Sequence, residues 1–198
     1  MNKLVLFTTT IIVALFMSSC SDDEVSLTQN EIDDLQVSRE EEKLARDVYL
    51  FSYDKYGEDI FNNIASSEQK HMNKILTLLN KYNLDDPALA NRGEFTNQTL
   101  QDLYDDLTAQ SDISLIEALK VGATIEDLDI NDIDDFISRT DNSDILAAYN
   151  KLNCGSRNHM RSYYGRLIEN DITYAPQFIS NNQLESIISS SNEQCGRN

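Results

Sequence analysis

Over most of its length this chain repeats its inward-type residues at alternating steps of three and four, a spacing that an α-helix turns into one buried stripe. One stripe runs Phe61, Ile64, Glu68, His71, Ile75, Leu78 and Tyr82. Another runs Leu115, Leu119, Gly122, Glu126, Asp129, Ile133 and Phe136, and a third Ile145, Ala148, Leu152, Ser156, His159 and Tyr163. Strand-like alternation is nearly absent, and two prolines and six glycines leave few interruptions. The expected fold class is therefore all-α. Ser38-Arg39-Glu40-Glu41 reads as a capping box that opens helix A, which runs to about Tyr56 and stops at Gly57. Helix B follows at once, from Glu58 to about Tyr82, and so short a turn makes an antiparallel hairpin. Pro87 and Gly93 then break the pattern, and a shorter helix over 96–109 precedes helix C over 114–139. Asp141 or Ser143 caps helix D, which reaches about Asn170, and a short docked helix is expected after Pro176.

Residues 1–20 stand apart from this pattern. Lys3 gives a basic start, an apolar run reaches about Met17, and small Ser18 and Ser19 precede Cys20, the layout of a secretory signal. The run is too short and too abruptly ended for a membrane span. A cysteine directly after small residues resembles the lipobox of bacterial lipoproteins, which implies an acylated Cys20 anchoring the protein to a membrane without crossing it. A plain signal peptide with an incidental cysteine is the alternative. Residues 21–34 read as a flexible tether, whose Ser21-Asp22-Asp23 start resembles signals that send some lipoproteins to the outer cell surface. The helical domain is expected over 35–180 and a tail over 181–198. The expected location is the bacterial cell envelope, at the outer membrane on its periplasmic or surface side. In an exported protein, Cys154 and Cys195 are reasonable disulfide partners, with two isolated thiols as the alternative.

The formal net charge is −18, with 34 acidic residues against 16 lysines and arginines. Such a surface repels nucleic acid, which excludes that class of partner. Acidity alone would fit disorder, but 40% apolar residues and regular periodicity argue for a packed core.

The helical stripes are interrupted at their centres by Glu68 and His71, by Glu126 and Asp129, and by His159. On helix A, Glu41 leads the face of Leu44, Val48 and Phe51, while Glu42 leads Ala45, Tyr49 and Tyr56, so periodicity leaves both open. Burying several unpaired carboxylates in one layer costs several kcal/mol each, so something cationic must offset them. The basic residues nearby are Lys43, Arg46, Lys70, Arg157 and Arg161, and by periodicity most point outward. A divalent metal held by carboxylate oxygens and imidazole nitrogens meets the need economically.

Four long helices, with short turns within each pair and a long BC connection, suggest a ferritin-like four-helix bundle whose crossover carries an extra short helix. At the same residues the chain resembles the ferritin-like superfamily. More closely, it resembles the uncharacterised bacterial family known as domain of unknown function 2202. The stretches that carry the resemblance are EEEKLARDVY, FNNIASSEQKHM, ALKVGATIEDLDI, GSRNHMRSY and YAPQFIS, which together span most of residues 38–180. EKLARDVY is similar to the first-helix pattern of rubrerythrins, which implies Glu42 rather than Glu41 as the helix A ligand. The resemblance further implies Glu68 and His71 as a Glu-x-x-His with Glu68 bridging, Glu126 as the helix C ligand, Asp129 as a second acid there, and His159 as the second histidine. The departure is Ser156, which stands where the second Glu-x-x-His would carry its glutamate.

What the resemblance implies chemically is a non-haem di-metal centre, most readily di-iron with manganese as the other candidate. Its expected activity is ferrous-iron oxidation, peroxide reduction or an organic oxidation, with oxygen or peroxide as the small-molecule substrate. Tyr49, Tyr53, Tyr56 and Tyr163 are candidates to supply a proton or an electron. No Cys-x-x-Cys pair of the rubredoxin type occurs, so no built-in electron-transfer domain of that kind is expected. The rival expectation is a tethered, non-catalytic bundle with a degenerate site that binds a metal or a protein partner. A hydrolase using paired carboxylates is a weaker third.

Overall fold

The computed structural model describes residues 26–196. The expected signal segment and Cys20, the expected acylation position, lie outside the described residues. Those described form α1 (Gln29–Tyr56), α2 (Asp59–Lys81), α3 (Gln98–Ser111), α4 (Leu115–Ser138), α5 (Ser143–Ile168) and α6 (Asn181–Ile188), with no strand among them. The all-α expectation holds. No described helix is long and apolar enough to cross a membrane.

Helix α1 begins at Gln29 rather than Ser38. Its cap is Thr28, whose hydroxyl accepts from Glu31 N while the Glu31 carboxylate accepts from Thr28 N. Residues 29–34, expected in the tether, are therefore helical. Tertiary ties extend the helix: Leu35 is fully buried, Glu31 accepts from Thr140, and Asp34 takes both arms of Arg139. Ser38 is a buried residue of the helix interior. The other boundaries move less. Asn97 caps α3 after the expected Thr96, and Asn142, between the two expected candidates, caps α5. Gly57 ends α1 at φ 68°, a conformation glycine adopts without strain, and turns the chain straight into α2.

Two apolar clusters fill the bundle. One contains Leu44, Tyr49, Phe61, Leu119 and Tyr163; the other contains Leu35, Ile75, Phe136 and Tyr149. Helices α1 and α5 run from the second cluster toward the first, and α2 and α4 run the opposite way. Because α2 and α4 are parallel, their connection must travel the length of the bundle, and α3 lies along it against α1 and α4. The seam acids and histidines fall between the two clusters on all four long helices.

Buried side chains of α1 hold the crossover down. Glu40 accepts from Thr96 N, and Asp47 accepts from Gly93 N at 2.9 Å. Lys43, one of five basic residues of which most were expected to point outward, is fully buried: its ammonium bonds Asp47 at 2.6 Å and Asn91 O at 2.9 Å and sits over the Phe95 ring. A buried ion pair persists when its remaining polar atoms are satisfied, and here they are.

The C-terminal segment folds back onto α4 and α5. Fully buried Asp127 accepts from Tyr174 OH at 2.8 Å, Gln177 N at 2.5 Å, Phe178 N at 3.2 Å and Ile179 N at 2.8 Å, fixing the YAPQFIS turn. Leu184 and Ile187 of α6 pack into the first apolar cluster. Cys154 and Cys195 form a disulfide, and Glu193 beside it is clamped by Arg157 and Arg161.

Candidate metal centre

Each of the four long helices contributes to the polar layer, and helical spacing explains how. Glu68 and His71 stand three apart, so both project from one face of α2. Glu126 comes from α4, His159 from α5 and Glu42 from α1. Two groups result, Glu42–Glu68–His71 and Glu68–Glu126–His159, and within each group the candidate ligand atoms lie within 4.8 Å of one another. Glu68 belongs to both. Its Oε2 is 2.7 Å from His71 Nδ1 and its Oε1 is 2.7 Å from His159 Nδ1. His71 Nδ1 also lies 3.2 Å from Glu42 Oε2, and His159 Nδ1 lies 3.4 Å from Glu126 Oε2.

These contacts are close but mostly not aligned as hydrogen bonds. Both Glu68 oxygens, Glu126 Oε2 and His159 Nδ1 are buried without a hydrogen-bond partner. Native interiors rarely leave such atoms orphaned, and each costs about 1–3 kcal/mol. Hard oxygen donors and imidazole nitrogens that converge without bonding one another fit a transition-metal ion at each group.

The electrostatics agree. Burial pushes the Glu42 carboxyl up, and although His71 counters this, it stays well above the usual range with Glu68 adding to the rise. Burial also pushes Glu68 up, but the His159 and His71 imidazoles outweigh it and hold that carboxyl far below the usual range. Glu126 is raised by burial despite His159. Burial lowers both histidines, yet their acids win: Glu42 and Glu68 lift His71 well above its ordinary value, and Glu68 and Glu126 lift His159 to about 10. The carboxylates thus bias both imidazoles toward the charged form, the same demand for positive charge that a cation in the layer would meet.

Helix α1 presents Glu42, 3% exposed, to the layer. Glu41 lies to one side against Asp132, and burial and that neighbour raise it to about 8. Asp129 is 6% exposed and its Oδ2 has no partner, but it belongs to neither group. Burial first, then Glu42 and Glu126, raise its carboxyl well above the usual range. Ser156 does not replace the missing glutamate, since its hydroxyl donates back to Leu152 O at 3.2 Å.

Of the candidate tyrosines, Tyr49 donates to Glu126 Oε1 at 2.6 Å, which leaves Oε2 as the oxygen facing His159. Tyr163 packs tilted on Tyr49, and its hydroxyl is buried without a partner. Tyr56 is engaged by Ser111 O. Two glycines that periodicity did not mark as functional make room for the site. A Cβ on Gly155 would lie 2.5 Å from His71 Cε1, and one on Gly122 would lie 2.4 Å from the Tyr163 ring. A glycine four residues before His159, in the middle of a helix that gains nothing from it, was the available signal.

Known proteins share this architecture. The family model described as an uncharacterized protein domain, DUF2202, matches residues 31–191. The uncharacterized protein MJ0754 of Methanocaldococcus jannaschii is 49% identical over 169 residues, covering 85% of this chain and 91% of that protein. A crystal structure of the hypothetical protein MJ0754 from Methanococcus jannaschii matches this fold with a TM-score of 0.83, over 84% of this chain and 96% of that one. With the family model spanning nearly all of the helical domain, and a relative this similar over most of its length, the chain belongs to the DUF2202 family.

Proposed function

We propose that this protein is a ferritin-like bundle carrying a two-metal carboxylate–histidine centre, most readily di-iron, with oxidase, ferroxidase or peroxide-reducing activity. The observation that carries the proposal is Glu68: each of its two oxygens faces a different imidazole, and neither is hydrogen-bonded. In this reading Glu42, Glu68 and His71 would hold one metal ion, and Glu68, Glu126 and His159 the other. Bound iron would supply one-electron redox chemistry toward oxygen or peroxide. The chain's own residues shape what reaches it. Tyr49 holds Glu126 to one free oxygen, and the apolar clusters seal the layer at its two ends along the bundle. Asp129, buried beside the layer with its Oδ2 free of any hydrogen-bond partner, adds a further carboxylate oxygen next to Glu42 and Glu126. The up-down-down-up order of the helices, with a crossover along the bundle, supports the ferritin-like assignment. The proposal includes acylation at Cys20, which would tether the centre at the envelope.

Anaerobic ferrous titration followed by oxygen, comparing wild type with Glu68→Ala, tests the centre. About two irons per chain and an oxygen-dependent near-ultraviolet band, both lost in the variant, are expected. No iron uptake would sink the proposal. Ser156 favours a second reading, a degenerate site in a non-catalytic bundle, because its hydroxyl serves its own helix. That reading expects about one iron per chain and no oxidation.

A further inference from the structure

One cavity in the molecule is electrostatically out of character. Between α2 and α5 a cleft of about 510 Å³ opens over the layer, with His71 and His159 in its lining and no acidic residue among the side chains around it. Lys70, Lys74 and Lys151 line its mouth. Among the described residues these are the only lysines or arginines without a carboxylate partner. The rest each pair with one. Asp144, whose field Lys74 also feels, is engaged by Lys81. In a chain of net charge −18, three cations around one cavity with no carboxylate partner among the described residues are not an average surface.

The floor of the cleft points the same way. Both imidazoles turn Nδ1 toward the carboxylates. The Cε1–Nε2 edge of His71 faces the cleft side, where the lack of a Cβ on Gly155 makes room for it. Neither Nε2 has a protein acceptor among the described residues. An imidazole that ligates a metal through one nitrogen normally donates from the other to an acceptor.

We propose that the α2–α5 cleft binds a small anion bearing phosphate or carboxylate groups, held by Lys70, Lys74 and Lys151 and brought against the outer edges of His71 and His159. The volume suits a metabolite-sized ligand. The surrounding negative charge selects a small one, because an extended anionic partner such as a lipid surface or nucleic acid would meet repulsion everywhere else. That the anion serves the metal centre as substrate or ligand rests on the function proposed above; that it binds does not.

The test is calorimetric titration of the metal-free protein with inorganic phosphate and, separately, with succinate. It is repeated with a Lys70→Gln/Lys74→Gln/Lys151→Gln variant and with a Lys55→Gln/Lys81→Gln/Lys120→Gln variant of the same net charge. Saturable one-site binding of either anion is expected, weakened about tenfold or more in the first variant and by added salt, and retained in the second. Lys70 and Lys151 are exposed and Lys74 half-buried, so the first variant keeps the fold, which its circular dichroism and melting would verify. Absence of saturable binding for both anions overturns the proposal, as does equal weakening in the two variants. Ferrous titration of the cleft variant separates the two readings. Anion binding lost with iron uptake intact supports the cleft assignment independently of the centre, whereas anion binding in a protein that takes up no iron leaves the cleft standing and the metal reading refuted.

Discussion

Glu68 and Gly155 show how much of a site rests on single positions. Glu68, His71, Glu126 and His159 were legible in the sequence because a polar residue on an apolar helical stripe has nowhere to point but inward, whereas on helix A periodicity left Glu41 and Glu42 both open and only the family resemblance pointed to Glu42. Lys43 was not legible: its residue type and its place on the helix suggested solvent, and only the crossover folding over it and the carboxylate of Asp47 make burial tolerable. Gly155 escaped notice because the atom that matters is one it lacks. Replacing it with alanine would push a Cβ to 2.6 Å from His71 Nε2, so the ring must move. Gly155→Ala is expected to lower stability by about 1–3 kcal/mol and to shrink the rise in melting temperature that ferrous iron produces in wild type. Melting curves with and without ferrous iron check both, and an undiminished iron-dependent rise would show that the packing of His71 against Gly155 is unimportant.

At the level of elements, the sequence was most informative where a helix is bounded by chemistry of its own and least where distant contacts decide. Gly57 and Pro87 mark their breaks directly. The start of α1 was misplaced because Thr28-x-x-Glu31 and Ser38-x-x-Glu41 are both acceptable capping boxes. Leu35 in the apolar cluster, with Asp34 and Glu31 tied to the α4–α5 turn, selects the first. Asp127 was hidden in an acidic run that suggests solvent. It is instead the anchor of the segment after α5, and Asp127→Ala would strand the buried Tyr174 hydroxyl and Ile179 N–H. A loss of about 3 kcal/mol is expected in urea unfolding, together with faster amide exchange over 177–179. Retained protection there would mean that apolar packing alone holds the turn. The clamp on Glu193 makes the same segment acid-sensitive. Its hydrogen bonds from Arg157, with Arg161 behind, hold the carboxyl at about 2 rather than 4.5. A depressed acid stabilises the folded form above its unfolded value, so the contribution is complete above pH 4.5 and disappears as pH falls toward 2. Amide exchange over 189–195, followed through that window, should quicken before the helices respond, and Glu193→Gln should abolish the dependence.

For the molecule as a whole, the fold class and the inward layer came from periodicity, while the cleft did not, because its lysines lie on two helices whose facing no single stripe reveals. The Cys154–Cys195 disulfide closes a segment of sequence separation 41 that contains the turn on Asp127 and all of α6. By the chain-entropy account its reduction should cost about 4 kcal/mol, read as a lower melting temperature in reductant and absent in a Cys195→Ser variant. The early start of α1 reaches further than the helix itself. With the proposed acyl group on Cys20, the chain from there to Thr28 spans at most ~28 Å even when fully extended. The end of the bundle where α1 starts, α4 stops and α5 begins, stitched by Arg139 to Asp34 and Tyr82 to Asn142, would then stand next to the bilayer. Such a leash would keep that end of the bundle, and with it the layer of acids and histidines, within a bounded reach of the membrane surface.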